Sequence, residues 1–277
     1  MKDASPLRYP GGKWRIANFF NSVIRLNQLN QCHYVEPYAG GASLALSLLF
    51  TEQVSEIHLN DLDPAIHAFW HSALTHNKDF IQLIEETSVT PDEWLKQKVI
   101  YKNGDTRDKL ALGFATFFLN RTCHSGILNA GMIGGREQTG EWKVDARFNK
   151  RDLRRRIERI GQFQKRIHLS CKDAITFLTT STFPKTTLIY LDPPYYKAGA
   201  WLYLNAYKPD DHAAVKECAK SLKSAWIVSY DDVSEIRDLY KGIRSRRLNL
   251  IHTAKSPRDG KEILFFSPKL RIPASVK

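Results

Sequence analysis

Leu188-Ile189-Tyr190-Leu191-Asp192-Pro193-Pro194-Tyr195-Tyr196 decides how the rest of the chain is read. A short apolar run ends in an acid, two prolines and two tyrosines. Residues 188–191 are continuously apolar rather than alternating, which predicts a strand buried on both faces. Neither Pro193 nor Pro194 can donate to a ladder, so the strand must stop at Asp192. A carboxylate, a proline carbonyl and an aromatic ring are thereby gathered at the carboxyl end of a strand. In open α/β sheets that edge is where ligands bind. Ionised Asp192 is acceptor-only, and a proline offers a carbonyl with no competing N–H. Two acceptors side by side suit a planar amino group, and Tyr195 supplies a face on which a base ring stacks. The plainer reading is a strand and a proline turn, with Tyr195 and Tyr196 as packing.

At 277 residues, 43% of them hydrophobic and 25% charged, the chain is long enough for a sizeable core in one large domain or two modest ones. It has no amino-terminal charged-plus-apolar signal. Its longest apolar runs, 44–50 and 110–119, are core-helix sized. The expectation is a soluble, cytoplasmic protein with no membrane partner. Cys32, Cys123, Cys171 and Cys218 lie far apart with no C-x-x-C spacing. That argues for reduced thiols and against a zinc site or disulfide framework, although Cys32-His33 and Cys123-His124 are adjacent pairs. The formal charge of +12 points to a polyanionic partner, nucleic acid first.

Taken in order, Arg8-Tyr9-Pro10-Gly11-Gly12-Lys13-Trp14 precedes a helical pattern at Ile16, Phe19, Phe20, Val23 and Ile24. Paired glycines before a helix permit close approach by a ligand, and Lys13 adds a point charge. Tyr34-Val35-Glu36-Pro37-Tyr38-Ala39-Gly40-Gly41-Ala42-Ser43 reads as strand, small-residue loop and helix start, the first βα turn of a nucleotide-binding unit. It is not G-x-G-x-x-G, which disfavours a dinucleotide or P-loop site. Ile57-His58-Leu59-Asn60-Asp61 reads as a second strand ending in an acid. It lies about 20 residues past the glycines, the spacing at which such folds set a carboxylate on ribose hydroxyls. The alternative for Asp61 is a helix cap, since Asp63-Pro64 follows.

From Ala65 to about Ile160 the β/α alternation lapses into helical patterns over 65–75, 80–86, 91–100 and 109–120. The stretch 121–136, with Arg121, His124, Ser125, Asn129 and Arg136, has the glycines and mixed donors of an exposed loop or hairpin. A basic helix follows over 150–160, with Lys150, Arg151, Arg154 and Arg155; it is either a solvated face or a phosphate contact. The rhythm resumes with a strand at 167–170 and Asp173 opening a helix, then the central strand. Residues 197–209 form a loop with Trp201, Tyr203 and Tyr207, and a helix (210–222) and a buried strand (226–230) come after it. Strands at 246–251 and 263–266 flank a basic loop with Lys255, Arg258 and Lys261.

Together these motifs resemble the Dam-type (D12 class) DNA adenine-N6 methyltransferases over nearly the whole chain. The resemblance rests on Arg8–Lys13, Glu36–Gly41, Asn60-Asp61, Phe118-Leu119-Asn120-Arg121 and Asp192–Tyr195. It implies an α/β fold: a Rossmann-like S-adenosylmethionine-dependent methyltransferase sheet (1–70 and 162–277) with a mainly helical inserted target-recognition domain (71–161). It implies S-adenosyl-L-methionine as cofactor, S-adenosyl-L-homocysteine as product and no metal. Cofactor contacts would fall on Tyr9, Gly11, Gly12, Lys13, Glu36, Pro37, Tyr38, Gly40, Gly41, Asp61, Asp173 and Asp192. Catalysis would fall on Asp192, Pro193, Pro194 and Tyr195, acting on an adenine flipped from the duplex. Double-stranded DNA would be held by Arg8, Arg121, His124, Ser125, Asn129, Arg136, Lys150, Arg151, Arg154 and Arg155.

One departure bears on the target. GATC-reading relatives carry an arginine shortly after the glycine of the recognition loop, where this chain has Asn129. Arginine reads guanine and asparagine adenine, so GATC is not carried over. Arg8 could still read a guanine. The resemblance further implies a monomer or weak dimer, associated with the nucleoid through DNA, either orphan or paired with a restriction or defence partner. Competing readings are an RNA or cytosine-N4 amino methyltransferase, a protein-glutamine methyltransferase that leaves the charge unexplained, and a catalytically silent DNA-binding relative.

Overall fold

The computed structural model describes residues 4–8, 13–196, 207–252 and 258–274. Its centre is one seven-stranded sheet of β1 (Cys32–Glu36), β2 (Val54–Asn60), β3 (Ile167–Ser170), β4 (Thr187–Leu191), β5 (Ala225–Asp231), β6 (Ser245–His252) and β7 (Arg258–Phe266), in the order β3-β2-β1-β4-β5-β7-β6. The first five strands are parallel, and β7 runs antiparallel between β5 and β6. From β1 the chain winds outward through β2 and β3, then returns to lay β4 on the other side of β1. The connections after β1 and β4 therefore leave in opposite directions and open a crevice at their carboxyl ends.

Side-chain alternation divides the core between the two faces of the sheet. Tyr34, Leu188, Tyr190 and Ile227 point to one face, and Val35, Ile189, Leu191, Trp226 and Val228 to the other. The first face is covered by α1 (Ala17–Leu26), α2 (Ser43–Phe50) and the helical insertion. The second packs on α8 (Ala174–Thr180), α9 (Pro209–Ser221) and α10 (Ser234–Leu239). β4 is buried along its whole length, as its unbroken apolar run requires.

The insertion comprises α3 (Pro64–Thr75), α4 (Asn77–Glu86), α5 (Pro91–Asn103), α6 (Lys109–Thr122) and α7 (Lys150–Gln162). Asp63, Thr90, Asp108 and Asn149 each accept a hydrogen bond from the first turn that they cap. Pro64 and Pro91 sit at first helical positions, where a missing N–H costs nothing. An aromatic cluster of Phe69, Phe80, Phe114 and Phe117 joins these helices, in the same apolar core as Phe20 and Tyr34. Gly113 makes the α3–α6 approach possible, since a Cβ there would stand 2.5 Å from the Ala68 carbonyl oxygen.

The segment expected to be an exposed loop is partly built in. Helix α6 continues to Thr122, residues His124–Gly126 make a 3-10 turn, and Cys123 bridges Met132. Met132 and Ile133 are buried under it. Among the described residues, no helix is long and apolar enough to cross a membrane.

Candidate active site

Asp192 follows the last residue of β4, so its carboxylate stands at the mouth of the crevice. One oxygen, Oδ2, lies 3.0 Å from Lys13 Nζ, and the other accepts a short hydrogen bond from Ser229 Oγ on β5. A carboxylate cannot donate, so the Ser229 hydroxyl must, and the Tyr190 hydroxyl 2.8 Å away then donates to Ser229. Lys13 heads the 3-10 turn before α1 and is buried. Its three N–H donors match three acceptors: Asp192 Oδ2, Glu262 Oε1 at 3.1 Å and the Tyr195 hydroxyl at 3.2 Å. Tyr195 in turn donates to Glu262 Oε1 at 2.8 Å, and the Lys13 ammonium lies 5.2 Å from its ring centroid.

Burial raises the Asp192 pKa, Lys13 and Ser229 pull it down, and Glu262 pushes it up again. Burial alone would lower Lys13, but Asp192 and Glu262 hold its ammonium well above the usual range. One ammonium thus faces two carboxyl groups, an arrangement that favours further positive charge beside it.

The second part of the site is the turn after β1. Gly40 and Ala42 both have left-handed backbones, with φ of +45° at each. Two contacts with the end of β2 fix that turn. The Ala39 amide donates to the Asn60 carbonyl at 2.9 Å, and the Gly40 amide donates to Asp61 Oδ2 at 2.7 Å. Trp70 clamps it from α3, its indole N–H donating to the Gly40 carbonyl. Burial pushes Asp61 up to about 6, against hydrogen bonds from the Asp63 and Gly40 amides. Glu36, also buried, accepts from the Tyr34 hydroxyl and from the Ala45 amide, each at 3.1 Å, and burial raises it to about 8. Tyr38 meets Tyr207 edge to face, hydroxyl to hydroxyl at 3.2 Å, and Asp173 caps α8 from an exposed position. Tyr9, Gly11 and Gly12 lie outside the described residues, as do Trp201, Tyr203 and Lys255.

Of the remaining residues, Arg8 is joined to the insertion by a two-way bond. Its amide donates to Asn120 Oδ1 at 2.6 Å and its carbonyl accepts from Asn120 Nδ2 at 2.8 Å, while the same Nδ2 also reaches the Gly126 carbonyl. His124, Asn129 and Arg136 are exposed on the adjoining loop, and Ser125 is half-buried. Most of the other residues expected at DNA have partners within the protein. Arg121 turns onto the carbonyls of Arg147 and Pro6. On α7, Lys150 donates to the Glu85 carbonyl, Arg154 pairs with Glu85 and Glu158, and Arg155 pairs with Asp152. Arg151 is exposed. The apolar stripe Leu153, Ile157 and Ile160 packs α7 inward, and most of its charges find partners beside them. Sequence reasoning missed Ser229 and Glu262, whose only mark is a polar residue inside an apolar strand.

The switch-point crevice, the small-residue turn and the acid–proline–aromatic corner define a class: a Rossmann-like methyltransferase that acts on an exocyclic amine. Residues 9–255 match the family described as D12 class N6 adenine-specific DNA methyltransferase, and the chain belongs to that family. It is an S-adenosylmethionine-dependent DNA adenine-N6 methyltransferase. The Type II methyltransferase M.MjaIII of Methanocaldococcus jannaschii is 24% identical over 205 residues, 68% of each chain. Two solved structures are also similar. The rRNA methyltransferase aviRa from Streptomyces viridochromogenes has 12% identity and a TM-score of 0.37, covering 93% of this chain and 86% of its own. A Listeria monocytogenes protein described as a class I S-adenosylmethionine-dependent methyltransferase has 13% identity and a TM-score of 0.40, covering 95% and 62%.

Proposed function

We propose that the enzyme methylates the N6 of an adenine flipped from a short duplex DNA motif, with Asp192 and the Pro193 carbonyl accepting its two amino protons. The observation that carries this is the state of Asp192: anchored through both oxygens, yet with a quarter of its side chain exposed at the crevice. The adenine amino lone pair is delocalised into the ring and is a poor nucleophile. Accepting both N–H bonds favours a pyramidal nitrogen, whose lone pair is then free to attack. Tyr195, pinned through its hydroxyl by Lys13 and Glu262, offers its ring to the base; Pro194 holds the corner rigid.

S-adenosylmethionine supplies the methyl group on a positively charged sulfonium. The turn Glu36–Gly41 with Asp61 fits it, since it combines a left-handed backbone, a carboxylate at the ribose position and the Tyr38–Tyr207 wall beside Asp173. Tyr9, Gly11 and Gly12 would complete that side. The surplus of carboxyl groups around Lys13 suits a cation and the charge that develops on the amine, so positioning and electrostatics supply most of the acceleration. Nothing in this transfer calls for a metal.

The proposal extends to residues 71–161 as the target-recognition region, to a monomer or weak dimer in the cytoplasm, and to a restriction or defence partner reading the same motif. Modification mapping of DNA from cells expressing the protein or Asp192→Ala tests its centre. The expected result is N6-methyladenine at one short motif, absent in the variant. Methylated RNA with unmodified DNA would overturn it.

A further inference from the structure

A second cluster of chemistry lies across the sheet edge from this site. His33 on β1, Glu56 and His58 on β2 and His168 on β3 all project from the face that α8 covers. His33 lies opposite Glu56, and His58 is opposite both Val35 and His168. The three imidazoles form a stack: His33 and His58 have centroids 5.2 Å apart at 25°, and His58 and His168 4.5 Å apart at 19°. Phe183 closes the inner side, edge-on to His58 at 5.4 Å. His33 is the second residue of β1, whereas the cofactor turn follows the end of that strand.

The donor atoms are already gathered. His33 Nδ1 is 2.9 Å from His58 Nε2 and 3.9 Å from Glu56 Oε2, and the three lie within 4.8 Å of one another. A tetrahedral zinc site with bonds of about 2.0–2.1 Å sets its donors about 3.3 Å apart, within reach of small side-chain movements here. Glu56 Oε2 also forms a short hydrogen bond with His168 Nε2, the kind of outer partner that orients a ligating carboxylate. The cluster is half-exposed, with the His33 side chain 22% and Glu56 33% accessible, which leaves a path for an ion and a position for water.

We propose that His33, Glu56 and His58 bind one divalent ion of the zinc class, with His168 orienting Glu56, as a clasp between β1 and β2. Two imidazoles and a carboxylate suit borderline ions better than magnesium or calcium, which prefer all-oxygen shells. On binding, the N–H now shared between His33 and His58 moves to the other nitrogen of its ring, and both facing nitrogens become ligands. The neighbouring Cys32 takes no part: alternation sends it into the core on the other face.

The test uses the full chain without an affinity tag, freed of metal by chelator and dialysis. Titration with Zn2+ against a competing chromophoric chelator should give one equivalent per chain. Co2+ should give visible ligand-field bands, and Zn2+ at about a hundredfold excess over its Kd should raise the Tm by about 5 °C or more. Glu56→Gln, which keeps the side-chain shape, and His33→Ala should each weaken binding at least about tenfold and lose the Tm rise. Cys171→Ser, at an exposed thiol elsewhere, should change neither. Should His33→Ala fail to fold, Glu56→Gln decides alone. No saturable uptake by the wild type, or uptake undiminished in Glu56→Gln, would overturn the proposal and leave the stack as packing.

Discussion

Ser229 gives the sharpest residue-scale test of how Asp192 is tuned. Its hydroxyl lowers the Asp192 pKa while burial and Glu262 raise it. Ser229→Ala removes the lowering contribution, so Asp192 must be ionised at higher pH. The acidic limb of the pH–rate profile is expected to move upward and kcat to fall about tenfold, the worth of one hydrogen bond to a charged group. Ser229→Thr should restore both. A loss of stability with no movement of the limb would mean that Ser229 only packs. Glu36 makes a second prediction. Its folded pKa of about 8 lies above the ordinary 4.5, so between those values the folded state holds a proton that the unfolded chain has lost. Stability should therefore decline as pH rises through that window, by at most about 1.4 kcal/mol per pH unit. Glu36→Gln keeps the acceptor for Tyr34 and Ala45 and does not titrate. Thermal melts from pH 5 to 8.5 should show the variant gaining on wild type toward the alkaline end; parallel curves would refute the assignment. Asp192 was legible in sequence because an acid between an apolar run and two prolines has few structural uses. Glu262 and Ser229 were not, because their value depends on β5 and β7 lying beside β4, which only tertiary pairing decides.

Among the elements, the helices of the insertion were readable from periodicity and caps, because those signals are local. Their mutual packing was not. Gly113 looks like a weak point in a helix until α3 is laid across it, with the Ala68 carbonyl 2.5 Å from where a Cβ would go and Ser72 Oγ at 2.9 Å. Backbone cannot yield as a side-chain tip does, so α6 would have to lift from α3. Gly113→Ala, favourable for an isolated helix, is expected here to cost about 2–3 kcal/mol, read as a lower urea midpoint. An unchanged midpoint would show that the helix pair slides freely. The stretch after α6 misled the reading for a related reason. Its polar and glycine-rich composition suggested exposure, but the Cys123–Met132 bridge folds it back and buries Met132 and Ile133. What composition marked correctly is the outer rim, where His124, Asn129 and Arg136 remain exposed.

For the whole molecule, a charge of +12 points to a polyanion but does not say which face meets it. Ion pairs leave that net charge unchanged, but they and carbonyl contacts fix where many of the cations sit. Arg154 and Arg155 pair with neighbouring acids, Arg166 pairs with Glu52 and donates to the carbonyls of Ser55 and Val54, and Arg244 gathers three carbonyls near the end of the described chain. The loop that follows α6 is differently placed. Asn120 Nδ2 reaches the carbonyls of both Arg8 and Gly126, which sets the loop against the amino-terminal segment while its rim stays exposed. The consequence is measurable as salt dependence. Arg136→Ala should weaken DNA binding and reduce the slope of log K against log salt by about 1, the mark of one lost phosphate contact. Asn129→Ala should leave that slope alone but cost about 1–3 kcal/mol at one base position of the methylated motif, since a base contact carries sequence rather than charge. Arg154→Ala, whose guanidinium is held by Glu85 and Glu158, should change affinity less than about twofold. Equal losses from Arg154→Ala and Arg136→Ala would put α7 on the duplex and move the DNA path to the other side of the insertion.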